Sequence, residues 1–262
     1  MLKDITLGQY FPGNTVVHRL DPRTKILMVV VYLVALFTAD GPFAMAVVMG
    51  FLGLVIVLSK VKLRTLLRGL KPLVVILCIT GLLNVFMTPG EPIAQVWILR
   101  VTAEGIYRAV ILVLRIVMMV MGTCILTYTT PPMTLTDGLE SLLGPLKRIR
   151  VPVHELTLIM SMALRFIPTL IEETDKIMSA QKARGADFET GNIFRRAKAL
   201  IPLLIPLFIS AFRRADELAV AMESRCYHGG EGRTRMRQLG YKRRDAFAGS
   251  VGVMLLAVVI LL

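Results

Sequence analysis

The sequence predicts an all-α integral membrane protein, with about five transmembrane helices plus long cytoplasmic or interfacial helices. Three observations predict it. Of 262 residues, 55% are hydrophobic, and mean hydropathy is +0.67. The apolar residues gather into runs at 26–39, 43–58, 72–87, 106–128 and 246–262. The chain nonetheless carries 31 Lys+Arg against 18 Asp+Glu, a net charge of +13, and the basic residues crowd into only some of the connections. Apolar bulk with a one-sided basic excess marks a membrane protein with a basic cytoplasmic face.

The elements follow in order. Residues 1–25 are polar and lack the apolar core of a signal peptide. Asp21-Pro22 reads as an N-cap followed by Pro at the first helical position. Lys25 precedes the first run, and Asp40-Gly41-Pro42 turns the chain into the second. Residues 60–71 are basic and precede the third run, which the Thr88-Pro89-Gly90-Glu91-Pro92 segment breaks. The fourth run contains Arg108 and Arg115, and the last ends the chain. Runs shorter than ~20 residues cross a bilayer by local thinning or by snorkelling of flanking Lys and Arg. The N-terminus, the 60–71 loop and residues 147–244 are rich in Lys and Arg; the 40–42 turn has none and the 88–105 loop only Arg100. Five spans with the N-terminus inside and the C-terminus outside satisfy the positive-inside rule. The expected organisation is a four-helix membrane domain at 1–130, a cytoplasmic helical region at 131–244 and a final span at 245–262.

Residues 131–244 hold two further apolar stretches, 156–170 and 199–212. Reading them as spans would put Lys182, Arg184, Arg195, Arg196 and Lys198 outside, against the charge rule. Both stretches are short and interrupted by Pro168, Pro202 and Pro206. They read instead as long helices that begin against the membrane and finish in the cytosol, preceded by a shorter amphipathic helix at 135–146. Each is apolar first and charged later: Glu172, Glu173, Asp175 and Lys176 mark the change in one, Arg213, Arg214, Asp216 and Glu217 in the other. Asp175 precedes Arg184 by the same interval as Asp216 precedes Arg225, a weak internal repeat.

Catalytic and metal signatures are missing. The sequence has no GxxxxGK[ST] loop and no GxSxG. Gly229-Gly230-Glu231-Gly232 reads as a helix stop and turn. His154-Glu155 lacks the second His of a zinc-protease helix, and the three Cys form no CxxC pair. Cys226 and His228 read as chance neighbours at a helix end. The basic residues flank apolar runs without a nucleic-acid-binding motif, which excludes nucleic acid as the partner.

Two arginine tripeptides remain, Ala183-Arg184-Gly185 and Ser224-Arg225-Cys226. A basic residue at a helix C-terminus is favoured by the helix dipole. Small neighbours also allow close approach by a partner's walls, and an Arg in a groove binds a carboxylate bidentately, as Lys does not. Arg108 and Arg115 share a helical face, with Glu104 placed to pair with Arg108. An intramembrane Arg is functional by default; here orientation of the helix competes with substrate contact.

Several motifs then align with one family. They are Gly8-Gln9-Tyr10-Phe11-Pro12-Gly13 continuing to His18-Arg19-Leu20-Asp21-Pro22-Arg23-Thr24-Lys25, Ala180-Gln181-Lys182-Ala183-Arg184-Gly185-Ala186-Asp187, Ile201-Pro202-Leu203-Leu204-Ile205-Pro206-Leu207, and Arg214-Ala215-Asp216-Glu217-Leu218-Ala219. Together they resemble the transmembrane T component of energy-coupling factor transporters, ATP-binding-cassette importers of vitamins and trace metals, in its shared form rather than its cobalt- or biotin-dedicated forms. Ser224-Arg225-Cys226 departs from a second Ala-Arg-Gly. The resemblance implies a multi-pass protein of a prokaryotic cell membrane that is not itself an enzyme. It implies two cytosolic ATP-binding-cassette ATPase subunits, carrying ATP and Mg, and one membrane substrate-binding subunit as partners. Residues 183–185 and 224–226 would couple to the ATPases. Leu158, Met160, Leu164, Leu170, Leu203, Leu207 and Phe208 would form the platform for the membrane partner. The rival classes are an intramembrane enzyme built on Arg115 with Glu172, Glu173 and Asp175, and a self-contained secondary transporter, which would want inverted repeats and broken helices.

Overall fold

The computed structural model describes residues 10–89, 92–96, 99–188, 192–230 and 239–262. Residues 8 and 9 of the opening motif, 90 and 91 of the predicted break, and 231 and 232 of the glycine-rich turn lie outside the described residues. Among the described residues nine α-helices follow in order: α1 Pro22–Thr38, α2 Pro42–Ser59, α3 Leu63–Leu70, α4 Val74–Met87, α5 Ala103–Thr129, α6 Pro132–Leu142, α7 Val153–Ala183, α8 Ile193–Glu223 and α9 Arg243–Leu261. A short antiparallel hairpin, β1 Pro92–Val96 with β2 Leu99–Thr102, occupies the predicted loop before α5. The described chain divides into two compact units. One holds α1–α6 and α9, the other α7 and α8.

The predicted helix starts are visible in the backbone. Asp21 is the N-cap of α1, accepting from the Arg23 amide, with Pro22 at the first helical position. Gly41-Pro42 starts α2 in the same way. Thr102 caps α5 by accepting from the Gly105 amide at 3.0 Å, with Glu104 in the positive first turn. The basic 60–71 segment is itself largely helical: α3 buries Leu66 and Leu70 and exposes Arg64 and Arg68. The amphipathic helix expected at 135–146 runs from Pro132 to Leu142 and packs on α1, in the first unit. A 3-10 segment, Gly144–Ile149, follows.

Among the described residues, five helical stretches are long and apolar enough to cross a membrane: Pro42–Ser59, Leu63–Met87, Ala103–Thr129, Val153–Ala183 and Arg243–Leu261. Four match predicted spans; the fifth is α7, read from sequence as interfacial. Its best window has mean hydropathy 1.2, against 2.6 for α5. The predicted first span, α1, is 17 residues long, about 26 Å at 1.5 Å per residue. That is slightly less than the ~30 Å of hydrocarbon, a deficit that thinning covers.

The core of the first unit gathers around α1. Tyr32, Leu36, Val48, Leu66, Met118, Ile125, Leu255 and Val259 are all buried there. Small residues let the helices approach: a Cβ on Gly122 of α5 would stand 2.4 Å from the Tyr32 ring, and one on Gly252 of α9 2.6 Å from Met28 Sδ. Close small-residue contacts are how apolar helices gain packing energy where no hydrophobic effect drives them together. The Tyr32 hydroxyl donates to the Met118 carbonyl at 3.0 Å, so this deep polar group is satisfied.

A polar junction closes one end of the bundle. Lys25, 6% exposed, donates from Nζ to the His18 carbonyl (3.2 Å), the Thr129 carbonyl (2.9 Å) and Thr130 Oγ1 (3.2 Å). Asp245, 4% exposed, accepts from the Asp21 and Lys242 amides, both at 2.8 Å. One carboxylate thus caps α9 and holds the start of α1. The N-terminal segment is tied in by the Phe11 amide donating to the Tyr128 carbonyl at 3.0 Å and by an edge-to-face contact of the two rings at 5.5 Å.

His18 completes this segment. Its Nε2 lies 3.1 Å from the Phe11 carbonyl, which only accepts, so Nε2 carries the proton. Nδ1 then accepts from the Thr15 hydroxyl at 2.6 Å. Burial lowers its pKa below the usual 6.5; the Phe11 bond opposes this, and the Lys25 charge adds to the lowering. The depressed value means the unfolded state protonates first. The His18 contribution is therefore complete above ~6.5 and lost as pH falls below it. Thermal unfolding of the detergent-solubilised protein between pH 8 and 5 is expected to show a stability loss below ~6.5 that is reduced in His18→Gln.

Candidate functional site

The two long helices of the second unit form an antiparallel pair. Arg214 Nη2 lies 2.6 Å from Glu173 Oε2, and the Tyr227 hydroxyl lies 3.3 Å from His154 Nε2. The order of residues along one helix runs against that of the other. Leu203 (6% exposed) and Ser210 (4%) of α8 are buried, and Arg214 continues that face one turn on, half-buried. Pro168 lies inside α7, and Pro202 and Pro206 inside α8, without ending either helix.

The helix ends are near copies of each other. At the end of α7 the Gly185 amide donates to the Lys182 carbonyl (3.0 Å) and the Ala186 amide to Gln181 (2.9 Å). Gly185 has the left-handed φ of +87°. At the end of α8 the Cys226 amide donates to Glu223 (2.9 Å) and the Tyr227 amide to Met222 (3.1 Å). Cys226 has φ +53°. Both are Schellman motifs, in which a left-handed residue lets the last carbonyls find donors. Arg184 and Arg225 occupy the same place in each, immediately before the left-handed residue. The weak repeat in the sequence is thus a repeated backbone structure, with Cys226 where glycine would be expected.

Both arginines are exposed, as are Ala183, Gly185, Ser224 and Cys226. Among the described residues neither guanidinium has an ion-pair partner. The Ser224 hydroxyl folds back onto the Val220 carbonyl. Because the helices are antiparallel and 31 residues long, the two arginines lie at opposite ends of the pair. Their separation is on the order of 40 Å. Antiparallel packing sends the two helix ends in opposite directions along the pair.

The predicted platform residues separate by helical face. Met160 (46% exposed) and Phe208 (61%) are exposed, and Leu158, Leu164, Leu170 and Leu207 are half-buried. Leu203 is buried and so cannot belong to a docking face. The exposed apolar stripe of α8 is instead Ile201, Leu204, Ile205, Phe208, Ile209 and Phe212; on α7, Leu156 and Ile159 are exposed near its start. Helical periodicity around Leu203 and Ser210 carried that signal, although the sequence does not say which face meets α7. Arg115 Nη2 donates to the Ala39 carbonyl at 2.6 Å, at the C-terminal end of α1. It orients helices and favours the negative dipole end. Arg108 is exposed, and no ion pair joins it to Glu104 among the described residues. The described residues contain no group of His, Cys, Asp or Glu arranged to hold a metal.

The helix ends carry a backbone prediction. A Cβ on Gly185 would meet nothing within 4 Å, so Gly185→Ala costs only the left-handed conformation, about 1 kcal/mol. Cys226→Gly removes a similar cost. Amide hydrogen exchange at 184–186 is expected to speed up roughly fivefold in the first variant, and exchange at 225–227 to slow by a similar factor in the second.

Comparison with known proteins agrees with this architecture. The family described as CbiQ, cobalt transport protein, matches residues 13–236. A protein of Thermosediminibacter oceani named energy-coupling factor transporter transmembrane protein EcfT is 54% identical over 257 residues, 98% of this chain and 97% of its own. Proteins of the same name from Acidaminococcus fermentans (55%, covering 96% and 94%) and Ruminiclostridium cellulolyticum (48%, covering 100% and 98%) are similar over comparable lengths. At these identities and coverages, the chain belongs to the CbiQ/EcfT family of transmembrane components of energy-coupling factor transporters.

Proposed function

We propose that this chain is the coupling subunit of an ATP-driven importer of vitamins or other micronutrients. It binds two cytosolic ATPases and one membrane substrate-binding subunit. The observation that carries the reading is the duplicated helix end. Arg184 and Arg225 hold the same position in matched motifs, exposed and without an ion-pair partner among the described residues, at opposite ends of one antiparallel pair. Two like ATPase subunits offer two like grooves, and a chain with two like arginines far apart can engage both. ATP and Mg belong to those partners, since this sequence has no phosphate-binding loop. The exposed stripe from Ile201 to Phe212 supplies an apolar face for the membrane partner.

The same geometry supports one orientation. If the α7–α8 pair stood across the bilayer, one of the two arginines would face outward. Both reach the cytosol only if the pair lies along the membrane surface, with its apolar stripe toward lipid or the membrane partner. This accords with the weak hydropathy of α7. The basic connections support a cytosolic N-terminus and an outside C-terminus. In a Cys78→Ser/Cys124→Ser background, Cys226 and an Asp187→Cys site should both resist an impermeant thiol reagent in intact cells and react after permeabilisation. A Gly41→Cys site should react from outside. Labelling of either Cys226 or the 187 site in intact cells overturns the orientation.

Removing one partner of a desolvated charge pair costs roughly 2–5 kcal/mol, against less than about 1 for a rim charge. Arg184→Glu together with Arg225→Glu is therefore expected to release the ATPases on co-purification and abolish uptake. Each single change should weaken assembly, and Lys at either position should restore it only partly, because the bidentate geometry is lost. The activity of the isolated ATPases should not change. A stable, transporting complex with both charges reversed would leave these residues as solvated helix ends. An enzyme or self-contained carrier would purify alone and still act.

A further inference from the structure

The first unit contains a cleft of about 530 Å³ that neither the coupling surface nor the apolar platform uses. It lies among α1, α2, α5 and α9, with Met28, Tyr32, Phe51, Val55, Leu126 and Val251 among its walls. Along α1 it runs from Lys25 to Tyr32, and along α9 from Arg243 to Val251, a depth of about 10–12 Å at 1.5 Å per residue. Its size falls within the ~300–1,000 Å³ of small-molecule sites. One end is cationic. Arg243 and Arg244 stand there, both exposed, and among the described residues neither has an ion-pair partner. Lys25 also borders the cleft, but its three donors are taken by His18, Thr129 and Thr130. Phe247, 72% exposed, sits one turn along α9 from Arg243.

Apolar walls bounded at one end by two free guanidinium groups match one kind of molecule abundant beside these helices. We propose that the cleft binds an anionic membrane phospholipid, with an acyl chain between α1, α2, α5 and α9 and the phosphate headgroup on Arg243 and Arg244. The charge argues for an anionic lipid, since a zwitterionic headgroup gains little from two cations near the surface. The apolar depth argues for a lipid rather than a free phosphate, which would leave the walls bare. The paired apolar wall and exposed aromatic at the charged end repeat the pattern by which interfacial side chains anchor at headgroup level. The site would stabilise the bundle by filling the cleft among α1, α2, α5 and α9.

The test uses the full-length chain in phosphatidylcholine vesicles carrying a trace of photoreactive-acyl phosphatidylglycerol or photoreactive-acyl phosphatidylcholine, with adducts mapped by mass spectrometry. Phosphatidylglycerol is expected to label 51–58 and 243–251 roughly tenfold more than phosphatidylcholine. Arg243→Gln with Arg244→Gln should bring the two lipids level. Val251→Trp should block cleft labelling by both, while labelling of the exposed face of α4 continues and reports an intact fold. Glycerol phosphate in solution should not compete. Equal labelling by both lipids in the unaltered chain would mean annular lipid only. Competition by glycerol phosphate would mean a phosphate site without a lipid. Failure of both lipids to reach the cleft, as when a second copy of the chain fills it, would equally overturn the proposal.

Discussion

A charged group inside a membrane protein must be satisfied by the protein itself, and the first unit is organised around one such group. Lys25 is buried where α1 enters the bundle, and its three bonds reach the N-terminal segment and the end of α5. Asp245 performs the reciprocal task for α9, capping it and accepting from the backbone that leads into α1. Losing Lys25 would leave the His18 and Thr129 carbonyls, and losing Asp245 the Asp21 and Lys242 amides, without these partners at a buried junction. The bundle can slide or tilt only if these bonds break. The close contacts of Gly122 with Tyr32 and Gly252 with Met28 then follow, because the junction has already set the register of α1.

The second unit obeys a different constraint. Its helices carry an apolar face beside a charged end, and they pair through Arg214 and Glu173 on the side of α8 that also buries Leu203 and Ser210. Burying Leu203 inside the pair turns Ile205, Phe208, Ile209 and Phe212 outward. A soluble protein would not leave such a stripe bare. The helix ends are built alike although their sequences are not. The backbone needs one left-handed residue to satisfy its last carbonyls, and a glycine in one case and a cysteine in the other provide it. The arginine in front of that residue is presented identically either way. The departure from Ala-Arg-Gly at 224–226 therefore changes the neighbouring surface and leaves the position of the arginine intact.

Much of this was legible in the amino-acid sequence, for local reasons. Asp21-Pro22 and Gly41-Pro42 start helices because capping and a preset φ act within a few residues. The apolar runs located α2, α4, α5 and α9 because burial in lipid needs only continuous hydrophobicity. The arginine tripeptides stood out because charge and small neighbours are properties of the chain, and their motifs sufficed to identify the family. What the tertiary structure decided is nonlocal. Lys25 looks like any basic residue at the edge of a span until α5 and α9 close over it. Arg115 looks like a candidate for transport chemistry until the Ala39 carbonyl is placed against it. Leu203 and Phe208 are equivalent as apolar residues, and only the packing of α8 on α7 buries one and exposes the other. The opposed directions of Arg184 and Arg225 depend on that same packing, because a helix's sequence encodes its own faces but not the direction of its neighbour.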